Sequence, residues 1–247
     1  MHRKFFGKRE FLAIFSQKIH DDMSLSGEGG NRKNFCEKFL GVPVVSAEQV
    51  HGNRIQVIDS DWPVEKLVPK TDALVTKMKG VGLAMGMADC FSVVLIDPIS
   101  EVLANIHAGR QGVILGIVPE TVAVMEKLGS RNWDIRVLIG PGICAECYEV
   151  EREKALRWGF QSYSEYMTPV SGKPDKCHID LSGIIKYQLI EEAGIKRRHI
   201  ELKKICTFED RNYFSYRRAL VKGDAVGERE ENPSQRGVCV AVMKDIG

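Results

Sequence analysis

The chain has 247 residues, of which 44% are hydrophobic and 28% are charged, and its formal net charge is +2 at pH 7. A chain of this length and composition buries a substantial core, which excludes a disordered protein and makes disulfide staples unnecessary. No run of lysines or arginines forms a basic stripe, so we expect no nucleic-acid partner. The seven cysteines, an odd number without small-domain spacing, indicate reduced thiols rather than a disulfide framework.

Neither an export signal nor a membrane span is indicated by the hydropathy of the chain. Near the start, the longest apolar run is only 11–15, which is too short for the core of a signal peptide. No other stretch approaches the ~20 apolar residues of a membrane-spanning helix. We therefore expect a cytoplasmic protein without a membrane partner, and the sequence sets no oligomeric state.

Hydrophobic patterning predicts strands and helices in a single domain over residues 1–247. In chain order, the predicted strands are 11–15, 54–58, 72–76, 81–85, 92–97, 102–106, 134–139 and 237–242, and the predicted helices are 31–40, 112–128 and 181–193. Pro119 predicts a kink or a new start in the second helix, because proline lacks the N–H that a helix interior needs. Since several strands follow one another between Asp72 and Ile106, we expect an α+β fold with helices outside a mixed sheet.

Three possible ligands for a soft metal ion, His51, Cys90 and His107, each stand directly after an apolar run. Zinc accepts imidazole nitrogen and thiolate sulfur, and a catalytic zinc ion usually has three protein ligands and one open position. The spacings of 39 and 17 residues match no compact zinc finger. If these residues bind one ion, the fold must therefore bring separate strands together.

The local context of these residues supports two interpretations. Glycine follows each histidine within two positions, at Gly52 and Gly109, and so permits close approach of backbone or ligand. Asp89, beside the cysteine, is placed to orient a ligand or to charge a pocket. The alternative is structural, because a histidine or aspartate after a strand commonly forms a turn and an isolated cysteine is commonly buried and inert.

A series of short motifs resembles the YfiH-like, laccase-domain family. In chain order they are QVHG (49–52), TDALVT (71–76), ADC with VVLIDP (88–90 and 93–98), IHAG (106–109), IGPGI with CYEV (139–143 and 147–150), IDL (179–181), and CT with FSYRR (206–207 and 214–218). The matching order and approximate spacing run from about Ser46 to the C-terminus, which is about four fifths of the chain.

The resemblance implies an α+β sandwich with the cysteine-hydrolase-like fold of that family, with one Zn²⁺ ion bound by His51, Cys90 and His107. It also implies a purine nucleoside phosphorylase that takes a nucleoside and phosphate, with inosine, adenosine and methylthioadenosine among the family substrates. Adenosine deamination in the same pocket is a further implied activity. Cys90 and His107 are then catalytic, and Asp89 is the expected proton shuttle for deamination.

Phosphorolysis also needs cationic side chains that hold phosphate. The sequence offers Lys18, Arg110, Arg217 and Arg218, of which the last two also fit an exposed pair in a surface turn. After HAG, the family pattern has Trp-Arg-Gly, whereas this chain has Arg-Gln-Gly at 110–112. Its arginine therefore stands one position earlier than the family's arginine, and on a helix this turns the side chain by about 100 degrees from the expected direction. The family's N-terminal Ser-Thr-Arg is replaced by Ser-Gln-Lys at 16–18, and lysine lacks the bidentate fork of arginine. The sequence therefore does not predict which of these cations holds phosphate.

An older family label, polyphenol oxidase or laccase, implies copper. A multicopper oxidase needs a mononuclear copper and a three-copper cluster, whereas this chain has six histidines in all. Met85 and Met87 lie near Cys90 and resemble the axial ligand of a blue-copper site, but a single one-electron centre does not reduce dioxygen to water. We therefore expect zinc, which polarises bound groups and lowers the pKa of coordinated water to ~7.

Two other classes of function remain as alternatives. A cysteine hydrolase, similar to toxin deamidases of related fold, would use Cys90 as nucleophile and His107 as base and would leave His51 without a role. A metal-stabilised, non-catalytic protein linked to peptidoglycan editing would bind zinc and turn over no nucleoside. Separately, Cys144 and Cys147 form an isolated CxxC, which without a second pair favours structural thiols over zinc or redox chemistry.

Overall fold

The computed structural model describes residues 1–23, 31–62, 67–220 and 234–245. Within these ranges the strands are β1 (His2–Phe6), β2 (Arg9–Phe15), β3 (Val44–Ser46), β4 (Ile55–Ile58), β5 (Ala73–Thr76), β6 (Gly82–Met87), β7 (Phe91–Asp97), β8 (Val102–Ala108), β9 (Arg136–Ile139), β10 (Glu149–Glu151), β11 (Met167–Val170), β12 (Lys173–Ile179), β13 (Ile200–Leu202) and β14 (Gly237–Asp245). The α-helices are α1 (Asn31–Leu40), α2 (Arg110–Ile114), α3 (Ile117–Lys127), α4 (Arg152–Trp158), α5 (Leu181–Tyr187) and α6 (Tyr216–Leu220). None of the helices in these ranges has both the length and the apolar character needed to cross a membrane.

The strands form two large mixed sheets and one small sheet. The order is β13-β9-β7-β8-β5-β4 in the six-stranded sheet, β1-β2-β14-β6-β3 in the five-stranded sheet and β10-β12-β11 in the small one. In the six-stranded sheet, β5 pairs in parallel with β4 and antiparallel with β8. In the five-stranded sheet, β6 pairs in parallel with β3 and antiparallel with β14.

The two large sheets pack face to face between outer helical layers. Because side chains alternate along a strand, Leu103 of β8 joins the core between the sheets, whereas Ala104 joins the core beneath the helices. The helices α3 and α5 cover the outer face of the six-stranded sheet, and α1 covers that of the five-stranded sheet. The result confirms the predicted α+β class, with a sandwich of two sheets as its centre.

The predicted elements form within a few residues of their expected bounds, with one informative break. The helix predicted over 112–128 is divided into α2 and α3 at Gly116, whose φ of 78° lies in the left-handed region. Pro119 then falls in the first turn of α3, where its missing N–H is not needed, which confirms the predicted restart. The last predicted helix is α5 followed by a π-helical turn, Gln188–Glu192.

One buried side chain joins the two large sheets. Asn105 of β8 donates through Nδ2 to the carbonyl oxygens of Leu83 on β6 (2.9 Å) and Cys239 on β14 (3.2 Å). Its Oδ1 accepts a hydrogen bond from Ser92 Oγ on β7 at 2.7 Å. Since Asn105 has no exposed surface, these bonds form a polar cross-link inside an otherwise apolar interior.

We expect Asn105→Ala to lower the free energy of unfolding by about 2–4 kcal/mol, because it removes buried hydrogen bonds and leaves a cavity. Urea unfolding followed by circular dichroism measures the change. The matched control is Asn53→Ala, which removes surface hydrogen bonds to Leu115 and Glu120 and is expected to cost less than about 1 kcal/mol. Equal losses in the two variants would contradict the cross-link.

Candidate metal centre

The fold brings the three predicted metal ligands together. His51 lies in the turn after β3, Cys90 lies in the turn between β6 and β7, and His107 lies on β8. Their ligand atoms are all within 4.8 Å of one another. The sequence predicted that the strand stops before His107, but β8 continues to Ala108. His107 therefore lies within the strand, where it pairs with Ser92 of β7. Three distant positions therefore form one cluster.

The turns at this cluster use left-handed backbone conformations. His51 has a φ of 60° and Asp89, next to the cysteine, has a φ of 80°. Such a conformation costs a non-glycine residue on the order of 1–2 kcal/mol. Hydrogen bonds from neighbouring segments must therefore hold both turns in place.

A buried carboxylate, Asp72, holds the first of these turns and also orients His107. Its Oδ1 lies 2.8 Å from His107 Nδ1 and accepts a hydrogen bond from His51 N at 3.0 Å. Its Oδ2 accepts from Gly52 N at 2.8 Å and from Val50 N at 3.2 Å. Because a carboxylate accepts, the contact with His107 fixes the ring proton on Nδ1 and leaves Nε2 for a metal ion.

Asp72 belongs to the TDALVT motif, from which no role for it was predicted. The available signal was an acidic residue directly before a fully buried strand, since such a residue is rarely buried without a partner.

A glycine keeps the space between the ligands open. A Cβ atom on Gly109 would lie 3.0 Å from Cys90 Sγ, 3.2 Å from His51 Cδ2 and 3.4 Å from His107 Cε1. A side chain at this position would therefore fill the cradle between the three donors. Two imidazoles and one thiolate around such a space suit a soft or borderline divalent metal ion with a position left for another ligand.

Within the cluster, the charges of the thiol, the imidazole and the carboxylate are coupled. Burial raises the pKa of the Cys90 thiol, but the positive charge of His107 and hydrogen bonds from both histidines outweigh it and lower the pKa to about 6. Burial lowers the pKa of His107, but the Cys90 thiolate and the Asp72 carboxylate raise it to about 9. Burial also raises the pKa of Asp72, and its contact with His107 brings that pKa below the usual range. Both shifts favour the thiolate–imidazolium form of the metal-free pair.

A cavity of about 1170 Å³ opens over the cluster. Its walls combine aromatic rings and cationic side chains with the three ligands. The rings belong to Tyr148, Trp158 and Tyr216, and the guanidinium groups belong to Arg32, Arg110, Arg217 and Arg236. Such a lining suits a ligand that has both a flat ring and negative charge.

Arg110 is held in this wall by an aromatic ring. Its guanidinium carbon lies 3.6 Å from the centroid of the Trp158 ring on α4. Its buried Nη1 has no hydrogen-bond partner among the described residues. Stacking fixes the plane of the guanidinium, and Nη1 is an unpaired buried donor of a residue that lines the cavity. The ring that stacks on Arg110 therefore comes from α4, a distant part of the chain.

Asp89 and Arg217 also line the cavity, and a hydrogen bond joins them. Asp89 Oδ1 accepts from Thr207 Oγ1 at 2.7 Å, and Oδ2 accepts from the backbone N of Arg217 at 2.6 Å. The Arg217 guanidinium donates to the carbonyl oxygen of Glu149 at 2.8 Å. Asp89 thereby fastens two distant segments to the turn before β7. The role of Thr207 was not predicted, because its contact with Asp89 depends on the tertiary fold.

The other two predicted cations are not among the residues that line the cavity. Arg218 donates to the carbonyl oxygens of Thr207 (2.8 Å) and Phe208 (2.6 Å), so its guanidinium braces a loop. The Nζ of Lys18 lies 5.8 Å from the centroid of the Phe214 ring. Of the four predicted phosphate ligands, two therefore line the cavity, Arg110 and Arg217.

Solved structures with the same fold define the structural class of this chain. YfiH of Bacillus licheniformis superposes with a TM-score of 0.76 at 24% identity, covering 94% of this chain and 92% of that one. YlmD of Geobacillus stearothermophilus superposes with a TM-score of 0.75 at 24% identity, covering 97% and 93%. The chain therefore has the fold of the YfiH proteins.

The chain belongs to the family described as multi-copper polyphenol oxidoreductase laccase, whose model matches residues 18–228. A relative named purine nucleoside phosphorylase from Streptomyces coelicolor is 35% identical over 218 residues, which covers 84% of this chain and 87% of the relative. Another of that name from Campylobacter jejuni is 28% identical over 234 residues, covering 94% and 88%. The resemblance drawn from the motifs is thereby confirmed.

We expect Asp72→Asn to weaken Zn²⁺ binding at the cluster about 10- to 100-fold, because the neutral amide orients His107 less well and cannot accept all the same hydrogen bonds. Competition with a chromophoric chelator measures the affinity. The matched control is Asp97→Asn, since Asp97 is also buried and accepts hydrogen bonds from Ile99 N, Ser100 N and Arg131 N, at the far end of β7. The control should lose stability and keep its Zn²⁺ affinity, and equal weakening in both would refute the role of Asp72.

In metal-free protein, alkylation of Cys90 by iodoacetamide should speed up as pH rises through about 6 and then level off. The pKa of this thiol in the folded protein lies below its ordinary value of 9.0, so the reactive thiolate is already present at pH 7. Peptide mass spectrometry separates Cys90 from Cys144, whose pKa burial raises to about 11. His107→Ala should move the Cys90 midpoint upward, and an unchanged midpoint would show that His107 does not stabilise the thiolate.

Proposed function

We propose that this protein is a zinc-dependent purine nucleoside phosphorylase. The observation that carries the proposal is the juxtaposition, in one cavity wall, of the His51–Cys90–His107 cluster and the stacked Arg110 with its unsatisfied Nη1. A metal site beside a cation that is free to bind an anion suits a reaction between a nucleoside and phosphate. The relative from Streptomyces coelicolor, which is similar over most of both chains, carries this activity in its name.

Phosphorolysis requires the enzyme to hold a phosphate anion against the anomeric carbon of the ribose and to stabilise the charge that develops on the departing purine. Arg110 is the proposed phosphate ligand, because its fixed plane presents donors in the geometry that phosphate oxygens accept. Tyr148 and Tyr216 are the proposed stacking surfaces for the purine. The cavity of about 1170 Å³ has room for both substrates, since pockets for molecules of this size occupy roughly 300–1,000 Å³.

Zinc is the ion that we propose for the cluster. The donors are two imidazoles and a thiolate, which zinc binds with tetrahedral geometry and one further position. When bound, the ion supplies a Lewis acid that polarises an oxygen or nitrogen atom of the substrate. The copper chemistry in the family description needs many imidazoles, whereas the groups of possible metal ligands in the described part of the chain include only His51 and His107.

The protein's own groups prepare this site before any substrate arrives. Asp72 keeps the proton of His107 on Nδ1, and Gly109 leaves the space in front of the ligands free. For adenosine, we propose a second reaction in the same cavity, hydrolytic deamination, in which the oxygen of a water molecule replaces the amino group and ammonia leaves. Asp89 is the proposed proton carrier for that reaction, because its buried carboxylate lines the cavity next to Cys90. Inosine, adenosine and methylthioadenosine are the proposed nucleosides.

A cysteine hydrolase is the second candidate, and one specific observation favours it. The cluster contains the three groups that such an enzyme needs, with Cys90 as nucleophile, His107 as base and Asp72 as the carboxylate that orients the base. The Nδ1 of His107 lies 2.8 Å from Asp72 Oδ1. This arrangement gives His51 no role, whereas the metal centre uses all three clustered residues. Protein isolated without metal, with a rapidly alkylated Cys90 and no nucleoside turnover, would favour the hydrolase.

We expect purified, zinc-loaded protein to release free purine base from inosine or adenosine only when phosphate is present, as measured by chromatography. Arg110→Ala should raise the KM for phosphate about 10- to 100-fold, because a charged hydrogen bond contributes about 1.5–3 kcal/mol. The matched control is Arg157→Ala, whose exposed guanidinium pairs with Glu153 on the surface of α4 and should leave the KM unchanged. His107→Ala should abolish both zinc binding and base release.

Three other outcomes would redirect the proposal. Conversion of adenosine to inosine, with no release of free base when phosphate is added, would establish deamination alone. An unchanged KM for phosphate in Arg110→Ala would remove this residue from the phosphate site. Absence of turnover with zinc bound at the cluster would overturn the catalytic proposal in favour of a metal-stabilised, non-catalytic protein.

A further inference from the structure

A second group of potential metal ligands lies apart from the first. The ligand atoms of Cys144, Cys147, Cys206 and Glu209 are all within 4.8 Å of one another. The Sγ of Cys147 is 3.6 Å from Glu209 Oε1, and Cys206 Sγ accepts a hydrogen bond from Cys144 N at 3.3 Å. The three cysteines are partly buried and unpaired by disulfides, and Glu209 is exposed. Three thiols and a carboxylate therefore converge at one point near the surface.

Two short turns present these four side chains. The first carries the CxxC pair across a 3₁₀ turn, Ala145–Cys147. The second carries Cys206 and Glu209 at the same spacing and is closed by a hydrogen bond from Asp210 N to Cys206 O at 2.9 Å. A parallel bridge between Gly142 and Cys206 fixes one turn against the other. The CxxC that is isolated in sequence is thus completed by a CxxE that folding brings beside it.

We propose that Cys144, Cys147, Cys206 and Glu209 bind a second Zn²⁺ ion at a structural site. Pairs of ligands on two facing turns, each with two residues between its members, are the way in which structural zinc sites collect four donors. Thiolates select soft or borderline ions, and zinc also accepts a carboxylate oxygen. Because the protein fills four positions, the ion has none left for substrate, which makes this site distinct in role from the first.

The two turns of this second site are also joined to the cavity that lies over the first cluster. Ile143, directly before the first cysteine, donates from its N to the carbonyl oxygen of Asp89 at 2.9 Å. Thr207, directly after Cys206, donates from its Oγ1 to the Asp89 carboxylate at 2.7 Å. Tyr148, directly after the second cysteine, lines the cavity. An ion that joins the two turns therefore fixes two hydrogen bonds to Asp89, in the turn that carries Cys90, and the position of Tyr148 in the cavity wall.

Metal analysis of protein purified under reducing conditions without chelators tests this proposal. Wild-type protein should contain about two zinc ions per chain, and both Cys206→Ser and the double variant His51→Ala/His107→Ala should contain about one. The matched control is Cys177→Ala, a buried cysteine of β12 outside both clusters, which should keep about two. Retention of two ions in Cys206→Ser, or a single ion in wild type that disappears in the double histidine variant, would overturn the proposal.

A spectroscopic measurement keeps the test decisive if Cys206→Ser does not fold. Wild-type protein and the double histidine variant are loaded with Co²⁺, which adopts the same tetrahedral thiolate geometry as zinc and absorbs light. We expect strong thiolate-to-cobalt charge-transfer absorption in both proteins, and Glu209→Gln should change the visible bands without abolishing the thiolate bands. Loss of all such absorption in the histidine variant, or a disulfide between any two of Cys144, Cys147 and Cys206 in the reduced preparation, would refute the second site.

Discussion

The geometry of the candidate metal centre depends on the carboxylate of Asp72. A buried charge is costly, and here the cost is offset by the ring N–H of His107 together with three backbone N–H groups of the turn around His51. One side chain therefore sets the tautomer of one ligand and the backbone conformation of another. The positive φ of His51 is stable because these hydrogen bonds hold it.

The pairing of the strands explains why residues far apart in sequence meet here. In the six-stranded sheet, β8 runs antiparallel to both β5 and β7, so its end lies beside the start of each neighbour. Ala73 pairs with Ile106, and Phe91 pairs with Ala108. The residue before each of those strands, Asp72 or Cys90, is thus adjacent to His107 on β8. Both proposed metal sites depend on short segments, far apart in sequence, that the fold places side by side.

Sequence patterns could predict those parts of the molecule whose signals are local. Long apolar strands such as β7 and β8 bury every side chain and are easily recognised, and two of the clustered ligands are placed by them, Cys90 directly before β7 and His107 near the end of β8. The short strands β10, β11 and β13 are mostly not fully buried and show no such pattern. The roles of Thr207, Trp158 and Cys206 could not be predicted, because each depends on a partner in a distant segment. For the same reason, sequence alone did not separate Arg110, which lines the cavity, from Arg218, which binds carbonyl oxygens.

The stacking of Arg110 on Trp158 has a consequence for how related enzymes are recognised. In this chain the guanidinium and the aromatic ring come from α2 and α4, not from consecutive residues after HAG. A search that demands the tripeptide would pass over proteins that bring the guanidinium and the ring together in this way. A three-dimensional template made of an indole, a guanidinium and a nearby pair of imidazoles with a thiolate would retrieve them, whatever the order of those groups along the polypeptide.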